Sequence, residues 1–138
     1  MTKPLKVGLR AGGKPPDELL WSVHYLTAAR DEAMSFLTEA QYAHVVDGFA
    51  ALAREADPRR PSTQRVEQVE DFYEFKDKGG ILAKINLRVY FAVLSAQKTI
   101  VALHAIKKEA DGQTPKHVKI LVGMRLRRLL AGDYGPLP

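Results

Sequence analysis

The residues of this chain best placed to do chemistry are cations set into apolar runs. They gather in FYEFKDKGGILAKINLRVYFAVLSAQKTIVALHAIKK, residues 72–108, where Lys76, Lys84, Arg88, Lys107 and Lys108 interrupt the hydrophobic pattern. Arg88, inside LRVYFAVL, is the leading phosphate ligand, because a planar guanidinium fork fits a phosphate bidentately. Lys76 is the next strand-borne cation. Lys107 and Lys108 point to opposite faces of a strand, so one of the two belongs to a site. Tyr90 shares the face of Arg88; it either stacks on a base or packs. His104 has the chemistry of a general acid or base, and is equally readable as a packed strand residue. Glu74, Lys78 and Lys84 are further candidates, and Lys116 and His117 would border a substrate.

Such a set suits phosphate chemistry that needs no metal. In RNA the 2′-hydroxyl can attack the adjacent phosphate in line. The protein must then take the hydroxyl proton, neutralise the phosphorane-like transition state and protonate the departing 5′ oxygen. Lysine and arginine fill the second role. The other two need groups that titrate near neutrality, commonly His or Glu, or a lysine depressed by neighbouring cations. Other chemistries lack their motifs, so no metal and no cofactor is expected. His24, His44, His104 and His117 show no H-x-x-x-H or H-E-x-x-H spacing. GGK at 12–14 lacks the rest of a phosphate loop, and GG at 79–80 belongs to no dinucleotide fingerprint.

The 138 residues predict one domain, with 46% hydrophobic and 27% charged residues, an ordinary globular balance. No apolar run approaches the roughly 20 residues of a membrane span. The opening MTKPLKVGLRAGGKPPDELL is not read as a signal peptide. With no cysteine there is no disulfide, thiolate metal site or cysteine nucleophile, and a cytoplasmic location is the simple reading. Charge is unevenly placed. Residues 1–70 hold 9 Lys/Arg against 10 Asp/Glu, while residues 71–138 hold 12 against 6. A polyanion or an acidic protein would be drawn to the second half, or the surface is simply basic.

These residues need elements to position them. Residues 1–18, rich in Lys, Gly and Pro, read as a flexible basic arm able to cover a sheet edge or contact a partner. LLWSVHYL at 19–26 predicts a strand with Leu19, Trp21, Val23 and Tyr25 on the core face and His24 partly exposed. Thr27 is read as the cap of a short helix that runs into Met34 and ends near Phe36 or Leu37. Thr38 with Gln41 forms a capping box for a second, striped by Tyr42, Val45, Phe49, Leu52, Ala53 and Ala56. Residues 57–70 read as loop. FYEFK, ILAKINLRVYFAVL and TIVALHAI predict an antiparallel three-strand meander, with a turn at DKGG and a hairpin link at SAQK. Helices would cover one face of that sheet and leave the other half buried. Thr114 as N-cap and Pro115 as first residue start a last helix, with an irregular tail from 132 to 138. The fold class is α+β: a strand and two helices, a three-strand meander and a C-terminal helix, with the domain at 19–131.

From about residue 20 to 130 the chain resembles the RelE/ParE toxin superfamily, in particular its phage-derived Gp49-like, HigB-type members. FYEFK, LRVYFAVL followed by TIVALHAIKK, and TPKHVKI carry the resemblance. It implies a compact toxin with a concave sheet surface, neutralised by a cognate antitoxin, that cuts messenger RNA on the ribosome with basic residues. Arg88 matches the family's strand arginine, Lys107 and Lys108 its basic pair, and Lys76 the place of another basic residue. Two features depart from the pattern. The segment between Lys76 and Arg88 is longer than the usual turn, and no C-terminal histidine matches the HigB-type acid–base residue, though Tyr134 stands where some members carry tyrosine. The alternatives are a ParE-like inhibitor of DNA gyrase, or a non-catalytic protein- or RNA-binding relative. No membrane partner is expected. Self-association is expected when the antitoxin is missing.

Overall fold

The computed structural model describes residues 5–7, 19–109 and 112–136. Along the chain they form β1 (Leu5–Val7), β2 (Ser22–Tyr25), α1 (Thr27–Met34), α2 (Glu39–Ala53), β3 (Arg65–Gln68), β4 (Tyr73–Asp77), β5 (Leu87–Leu94), β6 (Thr99–Lys107) and α3 (Lys116–Leu130). The sheet order is β1-β2-β6-β5-β4-β3. Only β2 and β6 run parallel; every other pairing is antiparallel. The α+β class, the meander β4–β5–β6 and the final helix agree with the sequence reading. Residues 5–7 of the N-terminal arm pair with β2 as an edge strand. The remainder of the arm lies outside the described residues.

Both faces of the sheet are covered, where the sequence predicts one face half open. On one face Phe49, Leu52 and Ala53 of α2 pack with Val23, Tyr25, Phe75, Val89, Phe91 and Ile100. On the other, Val118, Val122, Leu126 and Leu129 of α3 pack over Phe72, Tyr90, Ala92, Val101 and Leu103. This explains why LRVYFAVL and TIVALHAI are apolar on both sides: each central strand buries both its faces. The α2 capping box forms as predicted, Thr38 Oγ1 accepting from Gln41 N–H and Gln41 returning the bond to Thr38 N–H. Phe49 anchors this layer, with ring centroids 5.0 Å from Phe75, 5.5 Å from Phe91 and 5.7 Å from Tyr25.

Several local expectations are corrected. His24 is buried, not partly exposed, because the parallel β2–β6 pair encloses it. Leu26, not Thr27, is the N-cap of α1. Pro115 caps α3, while the Thr114 hydroxyl turns inward to Tyr90. Ala56 lies past the end of α2 and is exposed. Residues 65–68, read as loop, form edge strand β3, because the alternation of Arg-Val-Glu-Gln lets Val66 alone dip toward the core. ILAKIN does not resume the strand but continues a 3-10 turn at Gly80–Leu82, entered through Gly79 and Gly80 at φ +81° and +53°, a backbone that glycine adopts without strain. Strict alternation also fails in β6. Phe91 pairs with Ala102 but Tyr90 with His104, so Leu103 is an extra residue that turns His104 toward Tyr90.

Gly48 faces β4 from α2, and a Cβ there would lie 2.8 Å from Phe75 Cζ. Gly48→Ala is therefore expected to cost about 1–3 kcal/mol through overpacking, more than the roughly 1 kcal/mol of helix propensity it gains. A urea midpoint that rises instead would mean the Phe75 ring yields freely.

Candidate functional site

Pairing of β3, β4, β5 and β6 sets two rows of residues side by side on the α3 face. The first is Arg65, Lys76, Arg88 and Ile106; the second is Glu67, Glu74, Tyr90 and His104. The rows interlock by charge. Lys76 Nζ bonds Glu67 and lies 3.8 Å from Glu74 Oε1; Arg88 Nε lies 3.3 Å from Glu74 Oε2. Tyr90 O–H donates to Glu74 Oε2 at 2.9 Å and sits 3.3 Å from Thr114 Oγ1. Arg88 also donates to Asn86 Oδ1 and to the Leu87 carbonyl. Glu74 is 3% exposed and Arg88 2%, so this is a buried carboxylate and guanidinium in contact, a pair that must be hydrogen-bonded to persist. Burial pushes the Tyr90 phenol well above its ordinary pKa, with the Glu74 carboxylate adding to the shift, so it remains a donor.

The open part of this network is a cleft of about 420 Å³ between β3–β4 and the start of α3, lined by Glu67, Gln68, Glu74, Lys76, Thr114 and Lys119 among others. Lys76 is only partly exposed, and the Lys76 ammonium holds the Glu67 carboxyl below its usual range. Gly112 and Gln113 line one side, and Lys108 braces them by donating to their carbonyls at 2.7 and 3.0 Å. The cleft thus offers two carboxylates and two ammonium groups within one opening, the inventory that proton transfer next to a phosphate requires.

A second polar cluster ties three elements together beneath α3. Glu32 of α1 receives Arg125 Nη1 and Nη2 at 2.9 and 2.8 Å and His104 Nδ1 at 2.8 Å. A carboxylate only accepts, so Nδ1 carries the His104 proton. Arg125 also donates to the Leu103 carbonyl at 2.8 Å, using the backbone that the β6 bulge turns outward. Partial burial alone would raise the Glu32 pKa, but the His104 and Arg125 hydrogen bonds outweigh it and hold the carboxyl below 4.5. A carboxyl depressed on folding adds stability that is complete above its unfolded pKa and is lost as pH falls through the folded value. Glu32→Gln is therefore expected to flatten the fall in stability below about pH 4.5, read from urea midpoints across an acid series. An unchanged acid limb would remove the cluster as its cause.

The cations named from sequence are distributed unevenly by this arrangement. Lys76 lines the cleft, whereas Arg88, Tyr90 and His104 are buried at 2%, 0% and 8% exposure, Tyr90 packed under α3 and His104 beside its Arg125. Lys78, Lys84 and Lys107 are exposed but do not line the cleft, and Lys116 and His117 are exposed on the first turn of α3. Lys108 is engaged with the 112–113 backbone. Tyr134 packs at the edge of the α3 cluster. Glu67, Thr114, Lys119, Glu32 and Arg125 were absent from the sequence-level site. Glu67 had a signal in the alternation of RVEQ; Glu32 and Arg125 had none, since 93 positions separate them. Among the described residues no cluster of His, Asp and Glu is arranged to hold a metal, and no helix is long and apolar enough to cross a membrane. Compared with models of known protein families, with curated proteins and with solved structures, the chain matches none.

Proposed function

We propose that this chain is the toxin of a type II toxin–antitoxin pair, a RelE/HigB-like endoribonuclease that cuts messenger RNA and is held in check by a cognate antitoxin. The observation that carries the reading is the cleft in which Glu67, Lys76 and Lys119 converge. The element order, a strand and two helices followed by an antiparallel meander and a helix, supports it as the order the resemblance implies.

In this reading the Glu67 carboxylate accepts the proton of the 2′-hydroxyl, and the freed oxygen attacks the neighbouring phosphorus. Lys76 and Lys119 hold the non-bridging oxygens as negative charge builds there. The bond from phosphorus to the 5′ oxygen breaks, and Lys76 gives that oxygen its proton. A 2′,3′-cyclic phosphate and a 5′-hydroxyl result. Because Lys76 and Glu67 are hydrogen-bonded, the proton taken by one restores the other. Arg88 acts from within: it fixes Glu74, which sits beside Lys76, and so positions the cleft. A carboxylate held below its usual range is a weak base, so cleavage of free RNA is expected to be slow and to rely on how the ribosome presents the message.

One observation favours a second reading. With Arg88, Tyr90 and His104 buried, the strand residues are better placed to stabilise than to react. A ParE-like gyrase inhibitor, or a non-catalytic RNA- or protein-binding relative, needs no exposed acid and base. Controlled expression separates the two. Growth arrest with new mRNA 5′ ends by primer extension supports the nuclease; arrest with gyrase trapped on DNA supports the inhibitor; neither arrest nor new ends sinks both toxin readings.

A further inference from the structure

A second cleft, of about 460 Å³, opens on the opposite side of edge strand β3 and is lined by Asp57, Arg59, Arg60, Gln68 and Tyr73. Gln68 lines both clefts, so the two are separated by the thickness of one strand. In register, Gln68 pairs with Tyr73, and Tyr73 stands three residues from Lys76 along β4, about 10 Å at roughly 3.3 Å per residue. Tyr73 is half-buried, its ring tilted 34° against Phe91 at 5.8 Å, which leaves an aromatic edge held in fixed orientation beside the opening. Arg59 is held as well. Its Nε donates to Asp57 Oδ1 at 2.8 Å, and the Arg59 N–H bonds the same oxygen at 3.0 Å. Arg60 is exposed at the rim.

We propose that this cleft binds a nucleotide of single-stranded RNA flanking the phosphate held at Lys76, the strand crossing the free edge of the sheet at Gln68. The inference rests on the RNA reading of the first cleft and adds a subsite to it. Guanidinium groups meet the phosphate, or the acceptor edge of a base, and the tyrosine edge packs against the base. The preset Asp57–Arg59 contact lowers the ordering that binding requires. Among the described residues β3 has no strand neighbour beyond it, so the path over its edge meets no other described strand.

The test uses the full chain and two labelled probes, a dinucleotide and a single strand of about six nucleotides, read by fluorescence anisotropy at two salt concentrations. The longer probe is expected to bind more tightly than the dinucleotide. Arg60→Glu is expected to weaken the longer probe about tenfold and lower its salt dependence by about one unit, leaving the dinucleotide unchanged. Lys76→Met is expected to weaken both. Arg60 is exposed, so its variant retains the fold, checked by circular dichroism. If both probes bind alike, or if Arg60→Glu weakens both equally or neither, the subsite is overturned while the first cleft stands. If the unaltered protein binds neither probe, the RNA reading itself fails and takes the subsite with it.

Discussion

Glu74→Ala is expected to destabilise the protein by about 3–5 kcal/mol, the cost of stripping the carboxylate from a buried guanidinium. Glu74 is the node of the sheet's polar lattice: Arg88, Tyr90 and Lys76 all reach it, and both Glu74 and Arg88 are almost wholly enclosed. Without it the Arg88 charge stays buried with that carboxylate gone, while the Tyr90 hydroxyl loses an acceptor. Glu74→Gln, which keeps the shape but not the charge, is expected to lose less. Replacing both partners by apolar residues of similar volume, Glu74→Leu with Arg88→Met, is expected to recover most of the loss, because removing a buried pair entirely also removes its desolvation penalty. Urea denaturation of the unaltered protein, Glu74→Leu, Arg88→Met and the double variant measures this as a double-mutant cycle. A loss below about 1 kcal/mol for Glu74→Ala, as for an exposed pair, would show that water reaches the site.

Lys76→Met carries the largest expected effect on activity. If its ammonium stabilises the phosphorane and protonates the leaving oxygen, cleavage falls by about 100- to 1,000-fold, and toxicity on expression disappears. Stability is expected to change by less than about 1 kcal/mol, since its Glu67 partner is largely exposed. Lys76→Arg separates the two roles. Arginine retains the charge but does not release its proton near neutrality, so RNA binding returns while the cleavage rate does not. The pH profile gives a third readout. Lys76 holds Glu67 below its usual pKa, so any residual activity of Lys76→Met should fall on its acid side at a higher pH than that of the unaltered protein. Full cleavage by Lys76→Met would place the chemistry elsewhere on the surface.

The legible parts of this chain were those in which a short segment carries its own physical signal. LRVYFAVL and TIVALHAI read as central strands because burial on both faces makes them apolar throughout, and both are central strands. Thr38 and Gln41 read as a capping box because the two reciprocal bonds lie three residues apart. β3 escaped notice because an edge strand buries so little. Its one core-directed residue, Val66, is a weak signal beside two prolines and a run of charges. The Thr27 and Thr114 caps failed because a hydroxyl near a helix start can serve the helix or a tertiary partner. For Thr114 the partners are Tyr90 and Glu74, 24 and 40 positions away.

The candidate site divides in the same way. Composition and pattern determined that cations would stand on the strands of an antiparallel sheet, and that the chain's second half would carry the positive charge. Whether each side chain faces solvent was decided by tertiary packing, which buries Arg88, Tyr90 and His104 and leaves Lys76 at an opening. No local pattern reveals this, because an arginine on a strand looks the same whether a helix or water covers it. The choice of partner was likewise tertiary. Glu67 meets Lys76 through β3 pairing, and Glu32 meets Arg125 across the sheet edge, so the charges that neutralise these cations come from segments whose proximity exists only after folding. Stretch 72–108 therefore fixes which charges the sheet carries, while their desolvation and pairing, and hence their chemistry, follow from what packs over them.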